Sequence, residues 1–164
     1  MSQSPPRRFT HCSAAVLRMA ARRVSQFYDA CLAPEDLKVS QYSVLSTAAR
    51  RRELAPTVNE LADELGMDRS TLGHNLRPLE RDGLVRLVAD GGDRRVRRVL
   101  VTERGRAKRE ACRKLWAMAQ GRFEEAFGQR RAEELAGLLA FIARDLDLAP
   151  PPPHSSGQGS DHAR

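Results

Sequence analysis

Aromatic residues are scarce in this chain of 164 residues: they make up 5% of it, with one tryptophan and two tyrosines. A surface that grips single-stranded nucleic acid needs several exposed rings for base stacking, so that class of binder is disfavoured. Lysine is nearly absent as well, occurring only at Lys38, Lys108 and Lys114. Cysteine is confined to Cys12, Cys31 and Cys112, an odd number with no CxxC pair. That excludes a disulfide framework and suits a reducing cytoplasm. No long apolar run follows the N-terminal arginines, so neither a signal peptide nor a membrane span is expected. There is no G-x-S-x-G, no phosphate-binding glycine loop and no paired catalytic carboxylates, which argues against a hydrolase or transferase. No cofactor is expected. The histidines His11, His74, His154 and His162 show no i,i+4 pairing, so no metal site is expected either.

What is present is hydrophobic residue at 41%, enough for one folded domain, and a net charge of +7 with a pI of about 10.1. A basic excess of this size points to a polyanionic partner. Almost all of it is arginine, whose planar fork suits phosphate oxygens and guanine edges. A G+C-rich genome would also raise arginine, but throughout the chain, so the placement of the charge separates the two explanations.

Residues 1–9 read as a polar lead and residues 149–164, APPPPHSSGQGSDHAR, as a disordered tail. Between them, apolar residues at threes and fours predict a first helix from near Cys12 to Leu32, ended by Ala33-Pro34. Ser40 is a good N-cap for a second helix over QYSVLSTAARRREL, with Val44, Leu45 and Ala48 facing a core and Arg50 to Arg52 closing it. Thr57-Val-Asn-Glu60 has the form of a capping box. It opens a third helix with Val58, Leu61, Ala62 and Leu65 as its apolar set. Gly66 marks a turn, and Asp68 caps a fourth helix with Leu72, Leu76 and Leu79 as its buried stripe. The opposite face carries Ser70, His74, Arg77 and Arg81 and no acidic residue, whereas a merely solvated face usually mixes both signs. Pro78 removes one backbone hydrogen bond from this helix and should bend or weaken it.

Gly83 ends the fourth helix. Two strands follow, Leu84 to Val88 and Val96 to Val101, around Gly91-Gly92. Arg94, Arg95, Arg97 and Arg98 crowd the tip and the return strand. From Asp68 to Glu110, twelve basic residues stand against seven acidic ones, so the charge is concentrated on the fourth helix and the hairpin. Thr102 caps a long fifth helix to about Phe127, and a sixth runs from about Gln129 to Leu146. Helix, turn, helix and basic hairpin together predict a winged helix-turn-helix for duplex DNA. The fold expected is mainly α with a small β-hairpin wing. The last two helices are too long and apolar for a small single-layer domain, so a second copy should cover them.

The residues also carry a family resemblance. Ser40-Gln-Tyr-Ser-Val-Leu45, Asn59-Glu-Leu-Ala62, Ser70-Thr71, Leu79-Glu-Arg-Asp-Gly-Leu-Val85, Asp93-Arg94-Arg95 and Val101-Thr-Glu-Arg-Gly105 occur in that order. This order resembles the MarR family of bacterial transcription regulators over about residues 10–147. The resemblance implies a homodimer with dimerisation helices at about 10–33 and 103–147 and a DNA-binding part at about 40–102. It also implies a pseudo-palindromic duplex operator, the usual product of a two-fold reader.

Arg69, Ser70, Thr71, His74, Asn75, Arg77 and Arg81 are the expected recognition-helix contacts. Asp93, Arg94, Arg95 and Arg97 are those of the wing; the resemblance implies that Arg95 enters the minor groove, with Asp93 orienting the wing arginines. The expected function is repression relieved by a small aromatic or anionic effector, with Arg18, Arg22, Tyr42 and Trp116 as conceivable lining residues. One branch of the family senses organic peroxides through a first-helix cysteine held by tyrosines. A sensor of that kind would here use Cys12 with Tyr28 and Tyr42, although Cys12 falls two residues earlier than that branch's cysteine and Ala14 takes its place. A non-specific architectural DNA-binding protein would share the charge but would not need a polar, base-reaching face on the fourth helix, and a winged helix that binds protein through its wing is a further alternative.

Overall fold

The computed structural model describes residues 12–51, 54–93 and 95–148. The expectations for the N-terminal lead, the C-terminal tail, Arg52 and Arg94 lie outside the described residues. Six α-helices and one two-stranded antiparallel hairpin follow in the order α1 (Ser13–Leu32), α2 (Val39–Arg50), α3 (Val58–Leu65), α4 (Arg69–Arg81), β1 (Val85–Ala89), β2 (Arg97–Val101), α5 (Glu103–Phe127) and α6 (Gln129–Arg144). A short 3-10 turn, Ala33–Glu35, ends α1 at the Ala33-Pro34 step that the sequence marks as its stop. No helix among the described residues is long and apolar enough to cross a membrane.

The expected caps form at α3, α4 and α5. Thr57 Oγ1 accepts from the Glu60 amide at 3.1 Å, while Glu60 Oε2 accepts from the Thr57 amide at 2.8 Å. Gly66 then turns the chain with φ 61°, a conformation that costs glycine little. Asp68 Oδ1 accepts from the Thr71 amide at 2.8 Å. Thr102 Oγ1 accepts from the Gly105 amide at 3.0 Å and donates to Gly83 O at 2.7 Å, tying the end of the hairpin to the end of α4.

Two boundaries of α2 differ from expectation. Ser40 is not the N-cap: α2 begins at Val39, and the Val39 amide is satisfied from another helix, by Asp29 Oδ1 of α1 at 2.7 Å. Gln41 Oε1 takes the Lys38 amide at 3.0 Å. With those donors paired, the helix needs no hydroxyl at its start. At the other end α2 stops at Arg50, because Arg51 turns extended (φ −83°, ψ 97°). The residue before Pro56 is also biased against helix. Arg51 instead reaches Glu64 of α3 at 3.2 Å.

Leu32, Leu45, Leu61, Leu72, Leu79, Val85, Val99 and Cys112 are fully buried in one cluster. It joins the end of α1, α2 to α4, the hairpin and the first half of α5. The stripe predicted on α4 is thus the buried one, with Leu72, Leu76 and Leu79 inside. Pro78 does not end α4, which continues to Arg81.

The outer helices behave differently. Leu17, Met118, Leu138, Leu139, Phe141 and Ile142 of α1, α5 and α6 are exposed. These three helices also enclose an apolar groove of about 660 Å³ lined by Leu17, Val24, Phe123, Leu135 and Leu139. The apolar periodicity seen in α1 and α6 is real, yet within one chain it covers little.

Strand register is Val85↔Val101, Leu87↔Val99 and Ala89↔Arg97. The connection runs from Asp90 to Val96, closed by the Asp90 amide on Val96 O at 2.9 Å. One pairing has no counterpart in the sequence pattern. The α2–α3 connector lies along the free edge of β2, with Thr57 bridged to Arg98 and the Val99 amide donating to Pro56 O at 2.9 Å.

Candidate nucleic-acid interface

Because Leu72, Leu76 and Leu79 anchor α4, the opposite face is set outward, and Arg69, Ser70, His74, Arg77 and Arg81 are all exposed. The side chains expected to act together are not equivalent. Thr71 Oγ1 is committed to the cap, donating to Asp68 Oδ2 at 2.6 Å, and Asn75 Nδ2 donates to Thr71 O at 2.9 Å. Both stiffen the first turns of α4. The hydrogen bond from Thr71 also lowers the pKa of Asp68, so this cap keeps its charge at neutral pH. At the far end Arg81 forms a forked pair with Asp82, at 2.8 and 3.3 Å. Its charge is locally offset, and the exposed polar face left for a ligand narrows to Arg69, Ser70, His74 and Arg77.

Three arginines predicted on two separate elements converge. Arg69 from the start of α4 and Arg95 and Arg97 from the wing line one cleft of about 110 Å³, together with Thr57, Val58 and Asn59 at the start of α3. Amides at a helix start add partial positive charge to such a cleft. In the sequence Asn59 stands out only as the first residue of Asn59-Glu-Leu-Ala62, not as an interface residue.

The role expected of Asp93 takes a different form. Its Oδ1 accepts from the backbone amide of Arg95 at 2.8 Å, and its carbonyl accepts from the Val96 amide at 3.0 Å. Asp93 therefore shapes the loop that presents Arg95. The carboxylate that grips a guanidinium is Asp90, whose Oδ1 accepts from Arg98 Nε. Arg98 also donates through Nη1 to Ala55 O at 2.7 Å. It is turned inward, and so is not part of the exposed wing charge that its position in the arginine run suggests. Arg97 stays exposed and donates to Leu87 O at 3.2 Å across the hairpin.

Of the four residues expected to line an effector pocket, the structure brings two together. Tyr42 of α2 and Trp116 of α5 sit with ring centroids 6.4 Å apart at 33°. They line a pocket of about 390 Å³ with Ser43, Ser46, Arg50, Arg109 and Arg113. Arg18 and Arg22 lie exposed on α1 and do not line it. Two polar atoms there, Ser46 Oγ and Arg109 Nε, are shut off from solvent with no hydrogen-bond partner among the described residues. Buried donors without partners are uncommon in folded proteins and call for a reason. Arg109, Arg113 and Trp116 share one face of α5 at helical spacing, a signal that could have found the two arginines. Arg50 and Ser46 needed the packing of α2 on α5.

Cys12, Tyr28 and Tyr42 are not brought together within one protomer. Cys12 is the exposed N-cap of α1, roughly 24 Å along the helix from Tyr28 at about 1.5 Å per residue. Tyr28 instead donates to Gln120 Oε1 of α5 at 2.5 Å, and burial raises its pKa, helped by the nearby Glu124 charge. Cys112 is buried, and desolvation pushes its thiol up to about 11. A thiol reagent at mildly alkaline pH is therefore expected to label Cys12 first, Cys31 more slowly and Cys112 only after unfolding. Rapid labelling of Cys112 in the folded protein would show the core around it to be open. Among the described residues no three His, Cys, Asp or Glu side chains are grouped as a metal site requires.

A MarR family profile matches residues 35–96. A comparison with curated proteins found no match. Among solved structures, the M. tuberculosis transcriptional regulator MosR in complex with DNA is 34% identical, covering 83% of this chain and 100% of that one, with a TM-score of 0.69. The transcriptional repressor CouR bound to a 23-mer DNA duplex is 29% identical, covering 87% of this chain and 100% of that one, with a TM-score of 0.74. CouR from Rhodococcus jostii bound to p-coumaroyl-CoA is 26% identical, covering 83% of this chain and 94% of that one, with a TM-score of 0.67. With the α3–turn–α4 unit and the arginine wing in place, these matches show that the chain belongs to the MarR family of transcriptional regulators.

Proposed function

We propose that the protein is a homodimeric repressor that binds a pseudo-palindromic duplex operator and is released by a small planar aromatic anion. The observation that carries the DNA-binding reading is the convergence of Arg69, Arg95 and Arg97 on one cleft beside the exposed Ser70, His74 and Arg77. Arginines of the cleft and wing neutralise backbone phosphates, and each such contact adds about −0.9 to the salt slope. Ser70, His74 and Arg77 reach base edges, where a good bidentate contact discriminates by about 1–3 kcal/mol. The DNA complexes of MosR and CouR support this reading.

Dimerisation covers the apolar groove between α1, α5 and α6 and the exposed Leu138, Phe141 and Ile142. Two-fold symmetry then sets half-sites about one helical turn, roughly 34–36 Å, apart. Footprinting on the DNA upstream of the protein's own gene tests this. A discrete protected palindrome is expected; uniform coating would favour an architectural protein instead.

The effector reading rests on the Tyr42–Trp116 pocket. Two rings offer stacking surface, and Arg50 and Arg109 supply cations for a carboxylate or phosphate. The pocket spans α2 and α5, so an occupant that separates them shifts the DNA-binding unit relative to the dimer helices. The CouR complex with p-coumaroyl-CoA, an aromatic acyl thioester bearing phosphates, supports a ligand of this class. Quenching of Trp116, the chain's one tryptophan, provides the readout. Aryl carboxylates and aryl acyl thioesters that quench it in the wild type are expected to bind Arg109→Gln about 10-fold more weakly or worse, the loss of one charged hydrogen bond. Equal affinities would remove the pocket from the reading.

A further inference from the structure

The wing holds four arginines in a run of five residues, Arg94 to Arg98, and Arg98 differs from its described neighbours. Arg95 and Arg97 are exposed, while the Arg98 side chain retains 18% of its accessible surface. Its fork spans two elements: Nε bonds to Asp90 at the start of the wing loop, and Nη1 bonds to Ala55 O in the α2–α3 connector at 2.7 Å. The other carboxylate oxygen of Asp90 accepts from the Gly92 amide at 3.1 Å. Beside this, the backbone of the connector pairs with β2 at Thr57↔Arg98 and Pro56 O to Val99 N. A continuous line of bonds therefore runs from the connector through Arg98 and Asp90 into the loop that presents Arg95.

We infer that Arg98 is a positioning residue that latches the wing to the α2–α3 connector and so fixes where Arg95 and Arg97 meet DNA, making no phosphate contact itself. The inference rests on the DNA-binding reading above. An unlatched wing must be ordered at the moment of binding, and that entropy is lost from affinity. Only a forked cation can serve both acceptors in this geometry. Lysine keeps the charge as a compact point and cannot span them. The Arg98 bond also holds the Asp90 carboxyl below the usual carboxylate range, so the latch is charged on both sides at neutral pH.

The test uses two full-length variants for which charge and geometry predict different outcomes. Asp90→Asn removes a negative charge beside the DNA, so electrostatics alone predicts tighter binding; the latch predicts binding about 10-fold weaker. Arg98→Lys conserves charge, so a phosphate contact predicts near wild-type affinity; the latch predicts a similar loss, again about 10-fold, with the salt slope unchanged. Affinity is measured on a duplex selected from a random library by the wild-type protein. Hydrogen exchange at the Gly92 and Val99 amides is followed in the same proteins and should quicken in both variants while the α4 amides hold.

Asp90→Asn binding as tightly as wild type or tighter, Arg98→Lys at wild-type affinity, or a shallower salt slope in Arg98→Lys would each overturn the latch. If Asp90→Asn does not fold, Arg98→Lys decides. Failure of the wild type to select any duplex would instead overturn the DNA-binding reading itself.

Discussion

Arg95→Ala is expected to weaken operator binding about 10- to 100-fold at moderate salt, from one charge-assisted contact per protomer. The side chain is exposed at the wing, and its backbone is held in place by Asp93. It faces the same cleft as Arg69 and Arg97. The salt slope should become shallower by about 0.9 for each lost contact, hence by roughly twice that for a dimer. Thermal stability and dimer mass should not move, because no core packing is touched. Binding isotherms at several salt concentrations, with sedimentation as the control, decide it. An unchanged affinity with an unchanged slope would remove Arg95 from the interface. Arg95→Ala and Arg98→Lys are thus separable: the first changes the slope, the second does not.

Gly105→Ala is expected to destabilise the fold by about 3 kcal/mol or more, toward the upper end of overpacking effects. Gly105 is buried in the first turn of α5, and a methyl group there would lie 2.1 Å from Leu84 O and 3.0 Å from Val101 Cγ1. The carbonyl cannot step aside cheaply, because it accepts from the Thr102 amide at 3.1 Å. Either α5 lifts off the hairpin or the hairpin's first pair breaks. Both movements disturb the joint between α5 and the wing. Gly73→Ala makes the contrast: it sits within α4 with nothing within 4 Å of the added atom. Alanine there should stabilise by up to about 1 kcal/mol through helix propensity. Urea denaturation of the two variants should therefore shift in opposite directions. A Gly105→Ala midpoint equal to wild type would mean that the α5–hairpin contact is looser than described.

Gly105 also shows what a motif conceals. In the sequence it is the last residue of Val-Thr-Glu-Arg-Gly and carries weight only as part of a resemblance. In the fold its reason is space, with Thr102 capping the helix and Gly105 letting that helix touch Leu84. The capping box at Thr57 and Glu60, the Asp68 cap and the leucine stripe of α4 were legible because each depends on residues within a turn or two. The start of α2 was not, because its cap is Asp29 from another helix. The wing arginines divide along the same line. Strand alternation puts Arg97 on the face of Val99 and Val101 and Arg98 on the other, yet it is Arg98 that turns inward, because Asp90 and Ala55 approach it.

By itself the sequence determined the element order, the buried face of α4, the hairpin and the concentration of arginine on both, since periodicity, caps and charge are local properties of a chain. The tertiary structure decided which of those charges remain free, how Arg69 joins Arg95 and Arg97 in one cleft, and that Tyr42 and Trp116 share a pocket with Arg50 and Arg109. Those outcomes depend on contacts between residues far apart in the chain. Such contacts are set by how the core closes around Leu45, Leu72 and Val99, and no local pattern encodes them.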